Sequence, residues 1–136
     1  DIANNYFMFK DKKNINFLKE NIVDFNLEKP DVILINDVLH YIDEKSQLKV
    51  LHYCFNILNK NGLIFIREGE KSSKNHVFTK LTEFLSTKVF KFNKTKGKLN
   101  FITSQMISDL AIKYKLRKEE ISHSKITSNK LFILKK

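Results

Sequence analysis

The chain has 136 residues, of which 29% are charged and 42% hydrophobic, and its formal net charge is +10. This length and composition fit one soluble globular domain or part of one. No apolar run approaches the roughly 20 residues that a membrane-spanning helix needs, so we expect no direct insertion into a membrane.

The charge and the cysteine content bear on partners and location. Lysine supplies nearly all the positive charge, and Arg67 and Arg117 are the only arginines. Arginine is the residue that bidentate recognition of phosphates and bases favours, so we expect no specific nucleic-acid binding. Cys54 is the only cysteine, which excludes an intrachain disulfide and a cysteine-based metal cluster and indicates the reducing cytoplasm.

The first 30 residues carry the weakest signals. Residues 1–9 are typical of a helix end, and the missing initiator methionine indicates a start inside a larger domain. Apolar and polar residues alternate over 15–18, which predicts a short strand. A loop that contains Asn21 and Ile22 then leads to Pro30.

The rest of the chain is organised around residues 30–42. Residues 32–35, Val-Ile-Leu-Ile, form an unbroken aliphatic run, which is typical of a parallel strand covered on both faces. Asn36 and Asp37 stand at its carboxyl end, where open α/β sheets bind ligands. They are therefore a candidate site; in the alternative interpretation they only begin a turn.

A helix follows this strand. Asp43 can accept hydrogen bonds from the free amides of a first turn, which predicts a helix from there to about Asn59. Gly62 is expected to end it in the left-handed conformation. The residues at helical spacing predict one buried stripe: Leu48, Leu51, Cys54, Phe55 and Leu58.

A second apolar strand is predicted at residues 63–66, parallel to the first. Arg67 and Glu68 then stand at its carboxyl end, beside Asn36 and Asp37 if the strands are neighbours. The remaining predicted elements are a helix at 73–90, a basic loop at 92–98, a short strand at 99–102, a helix capped by Ser104 and a strand at 130–134.

Three segments resemble the second half of a class I S-adenosylmethionine-dependent methyltransferase. Residues 31–41, DVILINDVLHY, are similar to the family's fourth strand and following loop, and residues 58–68, LNKNGLIFIRE, to its helix end, turn and fifth strand. The tail at 99–136 is similar to the antiparallel hairpin that closes these sheets. The resemblance implies an α/β, Rossmann-like fold, in which a mostly parallel sheet ends in an antiparallel carboxyl-terminal hairpin and carries helices on both faces.

The resemblance also implies that residues 1–136 are the carboxyl-terminal part of the domain. The family's glycine-rich loop after the first strand is missing, since Gly62, Gly69 and Gly97 are the only glycines and none precedes a suitable helix. The acidic residue that the family uses on the cofactor ribose is missing as well.

S-adenosylmethionine is the cofactor that the resemblance implies. Asn21 and Ile22 would line its adenine, while Asn36 and Asp37, with Leu39 beside them, would hold its methionine end, partly through backbone groups. The alternative role of these polar residues is ordinary loop capping.

His40 is a candidate general base for a hydroxyl or enol acceptor, because its unperturbed pKa of about 6.5 suits that task. The alternative is a packing or gating residue at the pocket mouth, and Tyr41 has the same two interpretations. Glu68 either borders the acceptor pocket or only solvates a loop. The remaining histidines have no metal-ligand spacing, so we expect no metal site: His52, His76 and His123.

The sequence therefore predicts a methyltransferase for a small-molecule or lipid-type acceptor that is inactive as these 136 residues alone. Loss of the family's first strand would leave residues 32–35 as an unpaired hydrophobic edge, which predicts self-association through it or a contact with residues 15–18. The alternatives are a noncatalytic interaction module, a dinucleotide-binding enzyme and a basic nucleic-acid-binding domain.

Overall fold

A computed structural model describes residues 15–16, 18–26, 28–69, 99–122 and 129–136. The predicted helices at 1–9 and 73–90 and the basic loop at 92–98 lie outside these residues. The described elements are β1 (Val32–Asn36), a 3₁₀ turn (Leu39–Tyr41), α1 (Glu44–Ile57), β2 (Leu63–Gly69), α2 (Ser104–Lys113), β3 (Arg117–Ser122) and β4 (Asn129–Lys135).

The strands form one open sheet in the order β1-β2-β4-β3. β1 and β2 pair in parallel, while β4 is antiparallel to both β2 and β3. In the described sheet, three strands therefore run in one direction and β4 runs against them. The predicted fold class is confirmed: an α/β, Rossmann-like sheet that is mostly parallel and ends in an antiparallel hairpin.

One face of this sheet carries the hydrophobic core. Ile33 and Ile35 of β1 align with Ile64 and Ile66 of β2, and all four side chains are buried. The two helices add their apolar stripes to the same cluster: Val50, Leu51, Cys54 and Phe55 from α1, and Ile107, Leu110 and Ala111 from α2. The helix predicted at 73–90, which the second face would need, is outside the described residues.

The sequence predicted that β1 is covered on both faces, but among the described residues helices cover only one of them. The side chains of Val32 and Leu34 are 57% and 68% exposed. Alternate residues of a strand point to opposite faces, and the described helices cover the face of Ile33 and Ile35. The predicted strand at 15–18 is not found in its described residues, which are irregular.

The end of α1 differs from its prediction. Asp43 caps the helix as expected, because its Oδ1 accepts from the amide of Ser46 at 3.0 Å. The left-handed residue, however, is Asn61, with φ of 66°, and not Gly62. Glycine is needed at 62 for space, since a Cβ there would lie 2.8 Å from Leu58 and 2.9 Å from the carbonyl oxygen of Asn59.

The predicted strand at 99–102 is replaced by irregular chain with an isolated bridge at Ile102. α2 is capped by Thr103, whose Oγ1 accepts from the amide of Met106 at 3.1 Å, and not by Ser104. The cap is one residue earlier because Thr103 still has an extended backbone, as an N-cap requires.

The sequence did not predict β3. Its residues, RKEEIS, lack an apolar alternation because it is the edge strand of the described sheet, where charged residues are common. Glu120 pairs with Lys118 at 2.9 Å and with Lys130 of β4 at 2.6 Å. These contacts support a strand whose sequence reads as a polar loop.

Candidate functional site

Two side chains of opposite charge meet where β1 and β2 end. Asn36 aligns with Arg67 across the parallel pair, and the next amide, that of Asp37, donates to the carbonyl oxygen of Arg67 at 2.9 Å. The guanidinium of Arg67 forms an ion pair with the carboxylate of Asp37, and the two side chains are 40% and 36% exposed. This exposed pair lies at the edge where α/β sheets bind ligands.

Glu68 lies next to Arg67 in β2 but is fully buried. Consecutive strand residues point to opposite faces, so Glu68 faces the helices. Its Oε1 accepts hydrogen bonds from the amides of Val38 and Leu39, each at 2.6 Å, and its Oε2 lies 2.6 Å from Nδ1 of His40. The carboxylate therefore satisfies amides at the start of the 3₁₀ turn that have no partner within it.

The contact with Glu68 fixes the orientation of the His40 ring. The tautomer of His40 that donates from Nδ1 satisfies this contact, and it leaves the lone pair of the neutral ring on Nε2. His40 is 2% exposed. Its ring stacks on that of Phe101, with 5.6 Å between the ring centroids, and its centroid lies 4.1 Å from that of the Tyr41 ring. A carboxylate that holds a histidine in one tautomer and orientation supplies one of the features that a general base needs.

The carbonyl groups of the same turn are held from another side. The side chain of Gln47 is 1% exposed. Its Nε2 donates to the carbonyl oxygens of Leu39 and Asn100. The backbone amide of Asn100 donates to the carbonyl oxygen of His40 at 2.9 Å, and its side chain donates to that of Ile42 at 3.1 Å. The segment after β1 is thus anchored by β2, α1 and the chain before α2.

Asn21 and Ile22 lie in a different place from the other predicted site residues. The side chain of Asn21 accepts from the amide of Val23 and donates to Asp24, so it serves as a loop cap. Ile22 lines a cavity of about 260 Å³ between the loop, the middle of α1 and β1. The described contacts bring together at the carboxyl edge Asn36, Asp37, Leu39, His40 and Tyr41.

Sequence reasoning missed Gln47 and left the role of Glu68 open. The solvating role considered for Glu68 is wrong, since its carboxylate is buried and bonded. Gln47 had a usable signal, because it precedes Leu51 by one helical turn and so falls on the apolar stripe. A polar side chain at such a position needs buried partners.

The described residues contain no metal site. No group of three or more histidine, cysteine, aspartate or glutamate side chains is placed to hold a metal ion there. His52 lies on a helix face as predicted, with Nδ1 2.8 Å from the hydroxyl of Tyr114. None of the helices in the described residues has the length and apolar character needed to cross a bilayer.

Solved structures show the same fold. An O-methyltransferase family protein from Burkholderia thailandensis is 22% identical with a TM-score of 0.63, and the match covers 89% of this chain and 35% of that one. A SAM-dependent methyltransferase from Archaeoglobus fulgidus is 11% identical with a TM-score of 0.63, covering 95% and 71%. The N-methyltransferase NodS from Bradyrhizobium japonicum, in complex with S-adenosyl-L-homocysteine, is 12% identical with a TM-score of 0.61, covering 94% and 57%. The chain thus spans about a third of the length of the first of these proteins.

No curated protein has a sequence that matches this chain. The model of the family described as CheR methyltransferase, SAM binding domain, matches residues 4–87, which is more than half of the chain. This match confirms the predicted class I methyltransferase and its cofactor, S-adenosylmethionine. The chain belongs to the CheR methyltransferase family, whose SAM-binding domain it matches over residues 4–87.

Proposed function

We propose that this chain is the acceptor-side part of a methyltransferase that modifies an oxygen atom, a hydroxyl or an enol, on a small-molecule or lipid-type acceptor. The observation that carries the proposal is the buried contact between His40 and Glu68. A base is useful for an oxygen acceptor, because loss of the proton makes a weakly nucleophilic hydroxyl reactive.

The residues at the carboxyl edge fit the cofactor. The Asp37 carboxylate is partly exposed, as a group that binds the cationic amino group of a methionine moiety must be. The backbone of Asn36 ends β1 beside it. When bound, S-adenosylmethionine supplies a methyl group on a positively charged sulfur.

In this proposal, His40 takes the proton of the acceptor hydroxyl and Glu68 stabilises the resulting charge. Nε2 of His40 accepts it, and the ring then carries a positive charge. The Glu68 carboxylate, 2.6 Å from Nδ1, stabilises that charge and keeps the ring in place. A positioned base of this kind contributes about 10²–10⁴-fold to a rate.

We also propose that the 136 residues do not complete the reaction by themselves. The support is the sequence: its three glycines, Gly62, Gly69 and Gly97, lie seven or more positions apart, so none belongs to a glycine-rich turn like that of dinucleotide-type folds. The cofactor would then be held by too few contacts for turnover.

Methyl transfer from S-adenosylmethionine with a labelled methyl group tests this function. The protein is used as these 136 residues and in the longest form that its gene encodes, with panels of hydroxyl-bearing small molecules and lipids. We expect transfer by the longer form, a rate that rises with pH through a histidine pKa, and a loss of about 10²–10⁴-fold in His40→Gln. The control His52→Gln should retain the rate. Transfer that His40→Gln leaves intact would contradict the role of His40.

A second candidate function is a noncatalytic interaction module. The observation that favours it is the open edge of β1, where Val32 and Leu34 are exposed. Such a module would show no methyl transfer in any form of the protein, and its binding would depend on residues of β1 and not on His40.

A further inference from the structure

One end of the sheet is strongly basic. Lys135, the last residue of β4, aligns with Leu63 and Arg117, the first residues of β2 and β3. Both helices end here as well, since Lys136 donates to the carbonyl oxygen of Leu58 at 2.8 Å and α2 ends shortly before β3 begins. Six exposed basic residues lie at this end, which we call the basic end: Lys60, Lys113, Lys115, Arg117, Lys135 and Lys136.

Within the described residues, no carboxylate forms an ion pair with the basic end. The lysines and arginine that do form ion pairs lie elsewhere: Lys49, Arg67, Lys118 and Lys130. Asp31 precedes β1 near this end, and its carboxylate accepts from Asn59 at 2.8 Å. Exposed like charges that are not neutralised create a positive potential, which attracts anionic partners.

The helix ends explain only part of this charge. Nζ of Lys136 donates to two carbonyl oxygens at the end of α1, and Lys113 stands in the last turn of α2. A positive charge at either place is favourable beside the negative end of a helix dipole. Arg117 and Lys135 lie in strands, whose dipoles nearly cancel, so their charges have no such structural role.

Lys115 occupies a position that favours glycine. α2 ends in a Schellman motif, in which the amide of Leu116 donates to the carbonyl oxygen of Ala111 at 2.8 Å and the amide of Lys115 to that of Ile112 at 3.1 Å. Lys115 is the left-handed residue of this motif, with φ of 55°, a conformation that glycine adopts without strain. A strained lysine that stays exposed is a reason to look for a binding role.

An exposed apolar side chain lies beside these charges. Ile112 is 76% exposed and stands in the last turn of α2, three positions before Lys115. The ring of Tyr114, in contrast, packs against those of Phe55 and His52, with centroids 5.3 Å and 5.6 Å away. The described part of the basic end therefore offers an aliphatic group among lysines, and its aromatic ring is already engaged in packing.

We propose that the basic end binds the anionic surface of a lipid bilayer. Lysine and arginine side chains are attracted to anionic headgroups, and an aliphatic side chain among the headgroups adds a hydrophobic contribution. A nucleic acid would instead favour arginine forks and free aromatic rings, whereas five of the six basic residues are lysine. This inference goes beyond the proposed function and does not depend on methyl transfer or on the acceptor.

The candidate functional site stays open when the basic end is bound. Leu63 lies at the basic end of β2 and Arg67 lies at the carboxyl edge. Four residues of a strand span roughly 13 Å, so a bilayer against the basic end would leave the ion pair of Arg67 and Asp37 in water. Both surfaces can therefore be occupied at the same time.

Flotation of the 136-residue chain with lipid vesicles tests the inference. One set of vesicles is pure phosphatidylcholine, and the other contains equal parts of phosphatidylcholine and phosphatidylserine. We expect the chain to partition at least about tenfold more strongly onto the anionic vesicles. The partitioning should weaken as salt is added, because salt screens exposed charges.

Paired variants assign the binding to the basic end. Lys115→Gly combined with Lys135→Gln should weaken partitioning onto the anionic vesicles roughly 30-fold. Glycine relieves the strain at position 115, so thermal unfolding should show a fold that is kept. The control, Lys45→Gln combined with Lys49→Gln, removes the same charge from the first half of α1. It should partition within about twofold of the wild type, because distant charges are screened.

Ile112→Gln and a duplex DNA of random sequence distinguish a membrane from a nucleic acid. The variant should partition about tenfold more weakly onto the anionic vesicles, while its weak binding to the DNA should stay unchanged. Equal partitioning onto both kinds of vesicle would overturn the inference, as would an equal loss in the two paired variants. Binding to the DNA as tight as to the anionic vesicles, with no effect of Ile112→Gln on either, would show a general polyanion site and overturn it too.

Discussion

Nδ1 of His40 lies 2.6 Å from Oε2 of Glu68, although 28 positions separate the two residues in the sequence. The other oxygen of the same carboxylate accepts from the amides of Val38 and Leu39. One side chain of β2 therefore determines the shape of the turn after β1. His40, the candidate base, lies in that turn. The Glu68 carboxylate therefore both stabilises the turn and orients the His40 ring.

We expect Glu68→Gln to destabilise the protein by about 1–3 kcal/mol, the cost of leaving a buried polar group without its partner. The amide keeps one oxygen, but its NH₂ group then faces backbone amides or the Nδ1–H of His40, which are donors. The free energy of unfolding in urea measures the effect. Glu119→Gln, at an exposed position of β3, is the matched control, and an equal loss in both variants would contradict the role of Glu68.

Local patterns in the sequence predicted β1, α1 and β2, because apolar runs, the Asp43 cap and helical spacing act over a few residues. The sequence did not predict β3. Glu120 of this strand pairs with Lys118 and with Lys130, and Lys130 comes close only when β4 pairs with β3. The carboxyl-edge site was predicted from the parallel pairing of two strands. The function of Glu68 was not, because its partners lie about 30 positions earlier.

The contacts of Glu120 predict a pH dependence of stability. Burial alone would raise the pKa of this carboxyl, but hydrogen bonds and charges from Lys130 and Lys118 outweigh it, so the pKa lies below its ordinary value of 4.5. A carboxyl with a lowered folded-state pKa stabilises the protein fully above the unfolded-state pKa and loses this contribution as pH falls through the folded-state pKa.

Glu120→Gln should accordingly be less stable than the wild type at pH 7 and approach it under acid conditions below pH 4.5. Urea midpoints measured from pH 7 to pH 3 give the comparison. Glu119→Gln, from the same strand, is the control, because Glu119 makes none of the described ion pairs. If the urea midpoint of Glu120→Gln is still below that of the wild type at the lowest pH, the ion pairs are not the source of the difference in stability.

The turn between α1 and β2 predicts opposite responses at neighbouring positions. A Cβ at residue 62 would lie 2.9 Å from the carbonyl oxygen of Asn59, so Gly62→Ala should cost about 1–3 kcal/mol through overpacking. Asn61 has φ of 66°, a conformation that glycine adopts without strain, so Asn61→Gly should be neutral or slightly stabilising. Thermal unfolding of the two variants decides, and a larger loss for Asn61→Gly would contradict this account of the turn.

The open edge of β1 predicts self-association. In the described sheet β1 pairs with β2 alone, and Val32 and Leu34 are exposed beside its free backbone groups. Such an edge is a template for another strand, and we propose that a second copy of this chain occupies it. Light scattering after gel filtration should then give twice the mass of 16.1 kDa, with a fraction of dimer that rises with protein concentration.

A charge on this edge should prevent the pairing, as charged side chains do on natural edge strands. We therefore expect Leu34→Lys to be monomeric at concentrations where the wild type is a dimer. Ile112→Lys is the control, because Ile112 is 76% exposed on α2 and away from the edge. If both variants dimerise like the wild type, association does not use β1, and if the wild type stays monomeric throughout, the edge is not a site for a second copy.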